Sequence, residues 1–65
     1  MIQPGTLVRH KLYPDELYLV LGPAFPPDET KKYTQYQTNM LRLLSLIDNG
    51  TENNHPGYLE VIQDP

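Results

Sequence analysis

Residues 40–62, MLRLLSLIDNGTENNHPGYLEVI, constrain the fold more than any other stretch. They open on the densest apolar run of the chain, 40–47. They close on Tyr58-Leu59-Glu60-Val61-Ile62, where the side chains alternate as a strand requires. Between lies Asp48-Asn49-Gly50, a turn signal whose residues tolerate positive φ, so left-handed backbone is expected at Gly50. The stretch reads as strand, tight hairpin, short return, turn and closing strand. Polar Arg42, Ser45 and Asp48 recur every third position, which also suits a short helix capped by Thr38 or Asn39. An eight-residue run is ordinary for a strand and short for a helix, which favours the strand. An α+β chain with a short helix at 39–48 is the alternative.

The first half adds two further strands. Pro4-Gly5 is a turn pair, and Thr6-Leu7-Val8-Arg9-His10 follows as a short, partly β-branched strand. Tyr13-Pro14-Asp15 favours a turn, because proline presets φ and aspartate bonds its own backbone. Leu17-Tyr18-Leu19-Val20-Leu21 is a strand apolar on both faces, ended by Gly22-Pro23. Pro23, Pro26 and Pro27 make 22–29 a stiff surface loop; Pro23-Ala24-Phe25-Pro26 matches PxxP, a common spacing in loops. Residues 32–37 alternate weakly and are expected to form a polar edge strand. The expected core is Leu7 or Val8, Leu17, Leu19, Leu21, Leu41, Leu43, Ile47, Leu59 and Val61.

A chain of 65 residues makes a single domain, 1–65, that buries about 60% of its unfolded surface. Ten Leu, three Val, three Ile, two Met and Phe25 must supply the core, with help from five Tyr. There is no cysteine, which excludes disulfides and thiolate zinc sites. No apolar run approaches the roughly 20 residues of a membrane span. The start, Met1-Ile2-Gln3-Pro4-Gly5, lacks the charged-then-apolar order of a secretory leader, so a cytoplasmic protein is expected.

Charge argues against a polyanion partner. Residues 1–47 hold five bases and four acids; residues 48–65 hold four acids and no base, giving −3 overall. Nucleic-acid affinity comes from a broad basic patch, and none is spelled out here. His10 and His55 lack HxH, HxxxH or HxxE spacing, so no metal site follows from them. The carboxylate pairs Asp15/Glu16 and Asp28/Glu29 are sequence neighbours, which point apart in a strand. Ser45 has no nucleophile context, and the four glycines form no phosphate loop. No catalytic residue and no cofactor are expected. The rings remain. Tyr13, Tyr18, Phe25, Tyr36 and Tyr58 fall near predicted loops and strand edges, and tyrosine suits interfaces because it joins apolar area to a polar tip.

The order of elements resembles an SH3-like small β-barrel. Gly5-Thr6-Leu7-Val8-Arg9 resembles the glycine-led first strand of short phage and bacterial barrels, and Leu46-Ile47-Asp48-Asn49-Gly50-Thr51 their distal hairpin. His55-Pro56-Gly57-Tyr58-Leu59-Glu60-Val61-Ile62 resembles their 3₁₀ turn and last strand. The resemblance implies an all-β barrel of five or six short antiparallel strands. It does not imply proline-rich peptide recognition. The chain has no tryptophan, and Tyr58 follows Pro56 by two positions where peptide-binding members have three. The functional expectation is a non-enzymatic protein-interaction module, a small accessory or adaptor of phage type, that binds a protein partner or itself as a homodimer. A nucleic-acid-binding small barrel is the alternative.

Overall fold

A computed structural model describes residues 2–65. Five antiparallel strands form one open sheet: β1 Leu7–His10, β2 Leu17–Pro23, β3 Leu41–Ser45, β4 Thr51–Asn54 and β5 Leu59–Gln63. A short helix, α1 Gln35–Asn39, precedes β3, and a 3₁₀ turn, Pro56–Tyr58, precedes β5. The strand order is β4-β3-β2-β1-β5. The all-β expectation holds, and 40–47 contributes a strand at its centre. The helix alternative at 39–48 does not hold.

Residues 32–37 are corrected. They contain no strand; the helix starts within them. Thr34 is its N-cap, accepting the Gln37 N–H at 3.1 Å, while the Gln37 side chain accepts the Thr34 N–H at 3.0 Å. This reciprocal pair satisfies two donors that a helix start otherwise leaves free. The weak alternation of Tyr33 to Gln37 carried no apolar face to hold a strand against it.

The β3–β4 hairpin is wider than a two-residue turn. Ser45 N–H donates to the Gly50 carbonyl at 2.8 Å, and Asn49 N–H donates to the Ser45 carbonyl at 3.0 Å. The Asp48 carboxylate accepts the Gly50 N–H at 2.8 Å. The left-handed residue is Asn49, at φ 62°, not Gly50. With four residues between Ser45 and Gly50, the chain reverses through a helical turn and needs one positive φ, which asparagine tolerates.

The buried apolar residues are Val8, Tyr18, Val20, Leu43 and Leu59, with Ile2 and Leu41 packed against them. Val8, Leu43 and Leu59 match expectation. On β2 the parity is the reverse of that expected. Val8 faces Tyr18 and Val20 faces Leu43, so Tyr18 and Val20 point inward. Leu17, Leu19 and Leu21 lie on the other parity: Leu17 and Leu19 are half-buried and Leu21 is exposed. Ile47 and Val61 are also exposed, Ile47 because it lies in the hairpin turn and Val61 because it lies on an edge strand.

Chain length curls this sheet. β4 and β5 are its two edges, and in a flat sheet four inter-strand gaps would separate them by about 19 Å. Only His55 and the 3₁₀ turn connect them, and that turn rises about 2 Å per residue. The sheet must roll so that its edges approach, with Val8, Val20 and Leu43 on the inside.

Candidate functional site: an aromatic face at the 3₁₀ turn

The β1–β2 connection is built by main-chain bonds. Glu16 N–H donates to Tyr13 O at 2.9 Å, closing a turn with Pro14 second, the position where its fixed φ fits. His10 N–H donates to Glu16 O at 3.2 Å. Lys11 N–H donates to Tyr58 O at 2.8 Å, which ties this connection to the 3₁₀ turn. Three rings therefore meet. His10 lies 4.9 Å from Tyr13 and 6.1 Å from Tyr58, stacked on the latter with 22° between planes. Tyr13 is 58% exposed and Tyr58 47%, with Leu12 beside them at 68%.

A second pair stands at the other end of the same turn. His55, its N-cap, stacks on Tyr36 of α1 with centroids 4.9 Å apart and 10° between planes. Tyr36 is 54% exposed. One 3₁₀ turn thus carries a ring stack at each end. Next to it lies an apolar cleft of about 920 Å³, lined by Pro23, Met40, Leu41, Pro56 and Val61 among others. No helix among the described residues is long and apolar enough to cross a membrane, and no group of three or more His, Cys, Asp or Glu there is placed to hold a metal ion.

Of the five rings expected at an interface, the structure brings Tyr13 and Tyr58 together and sets Tyr36 on the far side of the same turn. Phe25 is elsewhere, half-buried against Tyr33 at 5.2 Å. Tyr18 is 2% exposed, so its ring is a core residue and offers no contact surface. Its hydroxyl donates to the Glu16 carboxylate. Burial first, then the carboxylates of Glu16 and Glu52, push the phenol above its ordinary pKa. Tyr18 was misassigned because β2 is apolar on both parities, which left its inward face undetermined by pattern alone.

Sequence reasoning missed the two histidines as members of this face. A signal was present: His-x-x-Tyr occurs twice, as His10-Lys11-Leu12-Tyr13 and His55-Pro56-Gly57-Tyr58. In both copies the imidazole Nδ1 accepts a main-chain N–H two residues on, from Leu12 and from Gly57, each at 3.0 Å. Beside the face, Arg9 pairs with Glu60 at 3.0 and 3.4 Å, and this hydrogen bond holds the Glu60 carboxyl below its ordinary pKa. No family model matches the chain, and no curated protein or solved structure matches it.

Proposed function

We propose that this chain is a non-enzymatic protein-interaction module, a small accessory or adaptor of phage type, that docks on another protein. The docking face is Tyr13, His10 and Tyr58 at one end of the 3₁₀ turn, with the Tyr36–His55 stack at its other end. The observation that carries the reading is the combination of exposure and fixed geometry. Tyr13 and Tyr58 are about half exposed, yet both pack on His10 within a frame of main-chain hydrogen bonds. Rings already held in place lose little freedom on binding, and tyrosine is among the residues that dominate interface energies. The strand order β4-β3-β2-β1-β5 and the 3₁₀ turn before the last strand support an SH3-like barrel as the scaffold.

The experiment is affinity capture from cells that carry the chain natively, with the Tyr13→Ala/Tyr58→Ala pair beside the unmodified protein. Each truncation of a central ring is expected to cost on the order of 2 kcal/mol of binding, so the pair should lose its partner. A Phe25→Ala variant, away from the face, should keep it. If the paired variant retains every protein that the unmodified chain captures, the face is wrongly assigned.

A further inference from the structure

Two Nδ1 hydrogen bonds give both imidazoles the same role as acceptors. A main-chain N–H can only donate, so where these bonds are made Nδ1 of His10 and of His55 is the acceptor and carries no proton. Each bond holds the residue just before a tyrosine of the face: Leu12 before Tyr13, Gly57 before Tyr58. Adding a proton to either ring occupies Nδ1 and abolishes the acceptor. Histidine is the side chain whose charge ordinarily changes between about pH 5 and 8.

Around His10 the titratable neighbours are Arg9 and Lys11 on its own strand and connection, Tyr13, Asp15 and Glu16 on the turn, and Tyr58 and Glu60 across from it. Glu60 is engaged by Arg9, and Glu16 by the Tyr18 hydroxyl. Around His55 they are Tyr36 on α1 and Asp64, which lines the same cleft; Glu52 of the neighbouring strand lies instead beside Tyr18. Among the described residues, no carboxylate lies within 4.0 Å of either imidazole.

We propose that His10 and His55 form a paired pH-sensitive latch: each Nδ1 holds the N–H of Leu12 or Gly57, and protonation breaks both bonds and loosens the turns that carry Tyr13 and Tyr58, whose own main-chain bonds remain. The importance of the latch for binding rests on the docking reading above; the loosening itself is a property of the free protein.

The test is a ¹⁵N–¹H NMR titration of the free chain from pH 8 to pH 5. The Leu12 and Gly57 amide protons should move upfield along the titration curves of the His10 and His55 ring protons, with the Tyr58 ring signals following. Asparagine also accepts the N–H two residues on, without titrating. In His10→Asn the Leu12 amide should therefore stay flat while Gly57 still moves, and in His55→Asn the reverse. Flat Leu12 and Gly57 amides in the unmodified chain while both imidazoles titrate would overturn the latch. So would amides that still titrate beside their own asparagine. The unmodified chain decides alone if a variant does not fold. The tyrosine variants test docking separately, so the two readings fail independently.

Discussion

Gly22 sits at φ 147° where the β2–β3 register shifts, and it is buried. A Cβ added there would meet nothing within 4 Å, so space is no obstacle and backbone conformation is the whole cost. Gly22→Ala is expected to destabilise by about 1–3 kcal/mol, read as a lower urea midpoint at unchanged slope. Tyr18 separates two other contributions. Tyr18→Phe keeps the ring in the core and removes the bond to Glu16, for a cost of about 1 kcal/mol. Tyr18→Ala also empties the centre of the sheet, at a cost of about 3–5 kcal/mol. A 65-residue domain has a net stability of roughly 3–10 kcal/mol, so the alanine variant should lose a large share of it and melt well below the phenylalanine variant in circular dichroism. If the two variants melt alike, Tyr18 is not the packing centre described here.

One carboxylate adds a side-chain bond to the main-chain bonds of the β3–β4 hairpin. Asp48 accepts from Gly50 N–H, with Ser45 nearby, and these bonds hold its carboxyl below the ordinary value of 3.8. The folded form therefore binds that proton less readily than the unfolded chain. Its stabilisation is fully present above the ordinary value and is lost as pH falls through the lower, folded one. Melting temperature should fall between pH 5 and pH 2, and Asp48→Asn, which keeps an acceptor but not the charge, should flatten part of that fall. A slope identical in the variant would remove Asp48 from the account; Glu60 and Asp28, also lowered, would then supply it. The same scale shows what was legible from residues alone. Strand β3 and the reversal at Asp48-Asn49-Gly50 were legible because length and turn chemistry agreed. The helix was legible in principle through Thr34-x-x-Gln37, but a five-residue helix has too little periodicity to announce itself. The parity of β2 was not legible, since Leu17, Leu19 and Leu21 are as apolar as Tyr18 and Val20, and register across β1 and β3 decides it. The meeting of Tyr13 and Tyr58 on His10 was not legible either, because it needs the Lys11–Tyr58 main-chain bond between residues far apart in sequence.

At the scale of the whole molecule, the reversed parity of β2 has a consequence for assembly. Leu7, Leu19 and Leu44 are direct cross-strand neighbours on β1, β2 and β3, on the parity opposite the core. Leu17 shares that parity, and Leu46 N–H bonds to Leu17 O beside it. None of these leucines packs against the buried cluster. The rolled sheet thus carries a second apolar row on its outside, crossing three strands. Leu7, Leu17, Leu19 and Leu44 are half-buried while Leu21 and Leu46 beside them are exposed, and a second copy would cover the apolar area they leave open by a self-complementary, two-fold contact. The homodimer expected from the sequence would use this row and show as a concentration-dependent dimer. Leu19→Lys at the centre of the row should shift it to monomer in sedimentation equilibrium while leaving the β-sheet circular dichroism intact. The Tyr13→Ala/Tyr58→Ala pair, on the aromatic face, should leave the dimer unchanged. A chain that sediments as a monomer at the highest attainable concentration removes the outer row as a self-association surface, and the leucines then remain as half-buried cross-strand pairs that stiffen the sheet by a few tenths of a kcal/mol to about 1 kcal/mol each.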